Sequence, residues 1–258
     1  MISYRTVLML LVGFFAQLVD GTIGMGYGVT SASLLLTMGI APPIVSASVH
    51  TAELFVTAVS GASHLKLGNV RNDIMRPLAL AGMGGAVIGA IGLVRLPVRP
   101  VSLLVGLILA AMGVVIIYRF ASRESHAFGV ENAAPYRRRH LAGLGFVAGL
   151  IDAIGGGGWG PICTPSLVIT GTRPSEAVGS VNLAEFFVTA ATSVTLIVLI
   201  GVSRFRWDIV LALMVAGALA ALPAAWFCRR LPHRVLGLAV GALVLALSLH
   251  NVWRAWAK

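Results

Sequence analysis

Hydrophobic residues along this chain arrive in helix-length runs separated by short polar connections. The runs fall at roughly 6–19, 27–40, 44–65, 74–94 and 101–119, then at roughly 141–154, 159–170, 176–202, 208–228 and 235–253. None shows the alternating pattern of an outer-membrane barrel strand, where lipid-facing and lumen-facing positions trade places at every residue. The pattern predicts an all-α integral membrane protein, a polytopic helical bundle with five segments in each half. At about 20 residues per crossing, eight to ten of these segments engage the membrane. The first two segments of each half are short, about 14 residues, and a glycine run joins them.

That glycine run occurs twice. Residues 13–28 read GFFAQLVDGTIGMGYG and residues 145–160 read GFVAGLIDAIGGGGWG. A shift of 132 aligns 13–58 with 145–190 at 19 identities in 46 positions, including Asp20 with Asp152, Pro42 with Pro174 and Glu53 with Glu185. Beyond a three-residue insertion, a shift of 135 pairs Asp73 with Asp208 and Gly106 with Gly241. Apolar letters match by chance in an oily chain, but Asp, Glu, Pro and Gly do not match in register. The chain therefore divides into a first transmembrane repeat (1–119), a polar linker (120–140) and a second transmembrane repeat (141–258). Arg119, Arg123 and Arg137–Arg139 make the linker the expected cytoplasmic segment.

Duplicated helical membrane proteins are typically transporters with the site between the repeats near the midplane. If the two short segments of each half dip into the membrane as a hairpin, each half crosses an odd number of times and the repeats are inverted. If they form one broken span, the repeats are parallel. Charge does not decide: the first arrangement puts 12 Lys/Arg inside and 7 outside, the second 13 and 6. The inverted arrangement is favoured, because short segments joined by glycines suit a hairpin.

Composition agrees with the membrane reading. Charged residues make up 11% of the chain and hydrophobic residues 58%, with a mean hydropathy of +0.93, whereas a soluble domain carries about 25% charged residues. The net charge of +10 sits mostly in the connections, so it reads as topogenic charge facing anionic headgroups rather than as a nucleic-acid surface. Cys163 and Cys228 lie in apolar runs without disulfide or zinc spacing. The N-terminal apolar run has a repeat counterpart at 141–152, so it is expected to remain as a membrane segment rather than act as a cleaved signal.

Chemistry concentrates at the duplicated glycines. A run such as Gly155–Gly158 breaks a helix, and the segment that restarts after it presents free backbone N–H groups and a positive dipole end. Those donors bind an anion without a cationic side chain. The expected substrate-binding residues are Gly24, Gly26, Tyr27 and Gly28 in the first copy and Gly155, Gly156, Gly157, Gly158, Trp159 and Gly160 in the second. His50 and Asn182, at matching positions, are expected to line the path. Asp20 and Asp152 precede the glycines and serve either as loop-holders or as proton sites, since a charge deep in a bilayer costs at least about 2.5–3.5 kcal/mol. Glu53 and Glu185, inside apolar segments, are candidates for proton coupling or for bonding to the glycine loops. Isolated Gly82, Gly85 and Gly89 read as helix packing. His64, with Lys66, Arg71 and Arg76, is expected to face headgroups.

An HxxE pair at His50 and Glu53 hints at a metal site, but Asn182 replaces the histidine in the second copy, so no metal and no cofactor is expected. HExxH, a phosphate-binding GxxxxGK[ST] and a serine–histidine arrangement are all missing from the sequence, which argues against an enzyme and against an ATP-driven pump. A passive anion channel, a non-transporting assembly factor and a divalent cation transporter are the alternatives.

The stretch GLIDAIGGGGWGPICTPSL (149–167), the Gly-x-x-Pro turn at 171–174 and Asn182 resemble the sulfite exporter TauE/SafE family. The resemblance covers nearly the whole chain. It departs from the family pattern in the first copy, which has GTIGMGYG and carries His50 in place of asparagine, so the two copies need not be equivalent. It implies a bacterial inner-membrane, multi-pass exporter without cofactor, acting on sulfite, organosulfonates or other small sulfur-containing anions. The expected partners are that anion and the lipid bilayer, with a homodimer left open.

Overall fold

The computed structural model describes residues 4–121, 137–227 and 233–256, so most of the linker and Cys228 lie outside the described residues. Among the described residues the chain is helical throughout and has no strand. In the first half α1 spans Tyr4–Ile23, α2 Tyr27–Thr37, α3 Pro42–Lys66, α4 Asn72–Arg95 and α5 Val98–Ala121. In the second half α6 spans Arg138–Gly155, α7 Trp159–Ile169, α8 Pro174–Ile200, α9 Trp207–Phe227 and α10 His233–Trp256. A 3-10 turn at Val202–Arg204 precedes α9. Each predicted apolar run has become one helix.

Local chemistry sets several of these boundaries. Pro42 and Pro174 open α3 and α8, where the missing N–H costs nothing and the fixed φ suits a first helical turn. The starts of α4 and α9 carry the same fork. Arg71 donates through Nε and Nη2 to the two oxygens of Asp73, and Arg206 does so to Asp208. Both forks are exposed and contribute little to stability.

Among the described residues five stretches are apolar and long enough to cross a bilayer: Pro42–Lys66, Asn72–Arg95, Pro100–Ala121, Pro174–Ile200 and Gly237–Trp256. Helices α1 and α9 contain shorter apolar stretches. At eleven residues each, α2 and α7 reach about 16 Å, roughly half the hydrocarbon thickness. Large apolar side chains such as Leu80, Val198, Leu219 and Val114 stand exposed on the outside of the bundle. So much exposed apolar surface suits lipid rather than water.

The main packing partners are unchanged when the halves are exchanged. Helix α4 lies on α6 as α9 lies on α1; α4 meets α8 as α9 meets α3; α3 packs on α8, and α5 on α10. Helices α5 and α10 run antiparallel, because Gly106 faces Val252 and Gly113 faces Leu245. Helices α3 and α8 are also antiparallel, with Gly61 against Leu183 and Asn69 against Gly179. By contrast α4 and α6 run parallel, Gly82 meeting Gly149 and Gly89 meeting Ala153, as do α1 and α9 through Gly13 with Leu213 and Gly21 with Ala224.

The closest helix pair is held by small residues. A Cβ on Gly85 would run into the Phe146 carbonyl, and one on Gly89 would stand 2.5 Å from the Leu150 carbonyl oxygen. The isolated glycines of α4 therefore pack helices. One expectation is corrected here: His64 does not face headgroups. It is fully buried, with Nδ1 3.3 Å from the Asn69 side-chain amide, because α3 continues to Lys66 and keeps that turn inside the bundle.

Candidate functional site

Both glycine runs break the chain in the same way. Gly24 and Gly156 have φ of 73° and 72°, a left-handed conformation that glycine adopts without steric cost. Their N–H groups close the preceding helix on the carbonyls of Asp20 and Asp152, at 2.6 and 2.8 Å. Gly26 and Gly158 then cap the next helix at the N-terminus, without a side-chain cap in either case. The capping role falls to the aspartates. Asp20 Oδ1 accepts from the Tyr27 N–H at 3.4 Å, and Asp152 Oδ1 accepts from the Trp159 N–H at 3.0 Å.

The two loops abut one another. A Cβ at Gly157 would fall onto the backbone of Gly28 and Val29, and one at Gly160 would come 2.6 Å from the Gly24 carbonyl oxygen. Thr164 ties the crossing by donating to that same carbonyl at 2.8 Å. At the crossing lies a cavity of about 10 Å³, room for about one water molecule. Its walls come from both halves: Gly26, Gly28 and Val29 at the start of α2, and Gly157, Gly158, Gly160 and Pro161 at the start of α7. Four carboxylates complete it, Asp20, Asp152, Glu53 and Glu185. All four are buried, and Glu53 Oε2 has no hydrogen-bond partner among the described residues.

The two half-helices do not offer equal donors. In α2 the Tyr27 N–H goes to Asp20, leaving the Gly28 and Val29 amides of the first turn without an intrahelical acceptor. In α7 Pro161 stands where Val29 does and has no N–H, so Gly160 alone keeps a first-turn amide for a ligand. The more glycine-rich copy presents fewer free amides.

Of the remaining sequence-predicted residues, His50 acts through Asp152. His50 Nδ1 lies 2.8 Å from the Ser46 carbonyl oxygen; a carbonyl can only accept, so Nδ1 carries a proton. His50 Nε2 lies 3.0 Å from Asp152 Oδ2, and the bond between them holds one further proton. The pair is either imidazolium with carboxylate or imidazole with carboxylic acid, and is neutral overall in both forms. Asn182, the counterpart of His50, turns elsewhere: its Oδ1 accepts from Ser60 Oγ at 2.7 Å and its Nδ2 donates to the Val178 carbonyl. Asp20 therefore lacks the partner that Asp152 has.

Tyr27 and Trp159 are fully buried but do not line the cavity; they anchor the half-helices. Tyr27 donates its hydroxyl to the Leu213 carbonyl in α9 and packs against Gly217. Trp159 donates Nε1 to the Val181 carbonyl in α8 and packs against Gly82 of α4. Gly24, Gly155 and Gly156 shape the loops without lining the cavity. Val29 and Pro161 were missed because nothing but position marks them.

A second group escaped notice. Along α10, Ser248, Asn251 and Arg254 face α2: Ser248 Oγ is 3.2 Å from Ser33 Oγ, Asn251 donates to the Ser33 carbonyl, and Arg254 to the Thr37 carbonyl at 2.7 Å. Their spacing of three residues places them on one helix face, and polar residues so spaced within an apolar run are legible in sequence.

Comparison with known proteins gives two positive findings. A family model described as sulfite exporter TauE/SafE matches residues 9–250. A Bacillus subtilis (strain 168) protein described as probable membrane transporter protein YtnM is 37% identical over 246 residues, covering 95% of this chain and 82% of that protein. No solved structure matches.

Proposed function

Because the chain belongs to the sulfite exporter TauE/SafE family and is a multi-pass membrane transporter, we propose that it exports a small anion, sulfite or an organosulfonate first, across the bacterial inner membrane by alternating access. The observation that carries this reading is the meeting of two half-helix N-termini, one from each half, at a buried cavity. The positive ends of α2 and α7 converge there, and the Gly28, Val29 and Gly160 amides supply donors for oxyanion oxygens.

The four carboxylates set a condition. An anion placed among ionised carboxylates is repelled, so it binds when Glu53 and Glu185 carry protons. Anion and proton then move together. In that cycle Asp20 and Asp152 hold the loops, and His50 keeps a proton on the Asp152 side. A cavity of about 10 Å³ is too small for sulfite, so loading requires the two loops to part. The antiparallel run of the equivalent helices α5 and α10, and of α3 and α8, supports inverted repeats, since a two-fold exchange of antiparallel helices has its axis in the membrane plane. Rocking of one half against the other would open the loops to each side in turn.

Counterflow in proteoliposomes across sulfite, sulfate, thiosulfate, taurine and sulfoacetate tests the substrate class. Exchange of sulfite or a sulfonate well above protein-free liposomes is expected, and its lack for every anion would sink the reading. Four carboxylates line the cavity, which raises a divalent cation as the second reading, but among the described residues no three His, Cys, Asp or Glu side chains are grouped to hold a metal ion. That reading predicts thermal stabilisation of the purified protein by divalent cations and none by sulfite.

A further inference from the structure

At the far end of α2 from the glycine loops lies a much larger cavity, about 420 Å³, within the size range of small-molecule sites. It sits where α2 turns into α3 and where the start of α5 meets the end of α10. Leu36, Ile40, Pro42 and Val98 give it an apolar wall, and Ser102, Asn251 and Arg254 give it a polar edge. Arg254 spends Nη1 on the Thr37 carbonyl at 2.7 Å. A guanidinium has five N–H donors, and among the described residues no carboxylate pairs with this one. An unpaired cation beside an apolar wall calls for a ligand with an anionic head and a short apolar body.

The strip Arg254–Asn251–Ser248 runs from this cavity along α10 against α2, whose other end opens on the glycine cavity about 16 Å away by its eleven residues. We propose that the Arg254 cavity is a vestibular subsite for a small organic anion, its head on the guanidinium and its alkyl body on Leu36, Ile40, Pro42 and Val98. It lies at the end of the bundle opposite the one where α5 ends and α6 begins. The subsite deepens the transport reading and rests on it for its role as the vestibule of the glycine site. Arg119 on α5 is the counterpart of Arg254 at a shift of 135, and antiparallel packing of α5 and α10 puts it at the other end of the bundle.

The shared chemistry of an anionic head and an apolar body also describes a phospholipid, so the test separates the two sources. Calorimetric titration of the full chain in phosphatidylcholine nanodiscs with methane-, ethane- and butanesulfonate is expected to show affinity rising about two- to fourfold per methylene. Arg254→Gln removes the charge and keeps a polar side chain; it should weaken butanesulfonate about tenfold or more. Ser102→Phe fills the cavity from a half-buried position and should do the same, while Arg254→Lys should lose much less. Equal binding by wild type and Arg254→Gln, or affinity that ignores chain length, overturns the subsite. If phosphatidylglycerol in the nanodisc abolishes sulfonate binding to wild type, the cavity belongs to a lipid headgroup and the vestibular role is overturned. Counterflow of butanesulfonate run in parallel separates the two readings: a raised KM in Arg254→Gln supports the vestibule, and an unchanged KM overturns that role. Sulfonate binding that depends on Arg254 in a protein with no flux for any anion fails the transport reading instead.

Discussion

Asp152 is hydrogen-bonded through both oxygens, one accepting from the Trp159 N–H and the other sharing a proton with His50, while Asp20 holds its loop by one longer bond to Tyr27. Truncating Asp152 therefore leaves two buried groups without partners. Asp152→Ala is expected to cost about 3 kcal/mol of stability, and Asp20→Ala about 1 kcal/mol, as measured by chemical denaturation in detergent; equal losses would mean that the His50 bond contributes nothing. The four carboxylates were legible in the sequence because a charge in an apolar run has few reasons to be there, and because each is written twice. The partners of Asn182 and of the two aromatics were not legible. Ser60, Leu213 and Val181 lie far along the chain or on another helix face, and only the folded bundle brings them into contact. The shared proton at His50 was hidden for the same reason.

At the level of the helices, glycine separates into two uses. On α4 it lets α6 approach, and at the loops it lets two backbones cross. Gly85→Ala places a Cβ against the Phe146 carbonyl, and overpacking of this kind costs about 1–3 kcal/mol. Gly157→Ala drives a Cβ into the Gly28–Val29 backbone and is expected to part the two loops. Gly92 and Gly143 meet nothing within 4 Å, so alanine there should be neutral or raise stability slightly, by at most about 1 kcal/mol in a helix interior. Thermal unfolding of the four variants checks the ordering, and a Gly157→Ala protein as stable as Gly92→Ala would contradict the crossing. Helix number and position followed from apolar run length, which is why ten runs became ten helices. The crossing itself did not follow, because a glycine run shows where a helix ends and not what the freed backbone meets. Pro161 shows the limit of counting glycines, since the richer copy has one donor fewer.

For the whole molecule, the antiparallel α5–α10 and α3–α8 pairs make a topological prediction. The α3–α4 connection and its counterpart before α9 should lie on opposite faces of the membrane if the halves are inverted. In a background with Cys228 replaced by serine, Asn69→Cys and Ser203→Cys should react with an impermeant maleimide from opposite sides; labelling from the same side would establish parallel repeats. Charge in the sequence could not separate these arrangements, because both satisfied the positive-inside bias. The direction of packed helices bears on the choice, and that direction is set by side-chain contacts between distant segments.

The central claim is that an anion reaches the crossing of the two half-helices when the neighbouring glutamates carry protons. Sulfite counterflow in proteoliposomes, measured across pH for wild type, Glu53→Gln and Glu185→Gln, tests it most directly. The binding-competent form is the protonated one, so wild-type flux should be high at low pH and fall as the glutamates ionise with rising pH. Glutamine carries no charge at any pH, so each variant leaves one ionising glutamate instead of two and should keep more of its flux than wild type as pH rises. Bisulfite speciation is common to all three proteins and cancels in the comparison. Flattened profiles in the variants are the predicted result; sulfite flux whose pH profile is unchanged by both substitutions would contradict the account.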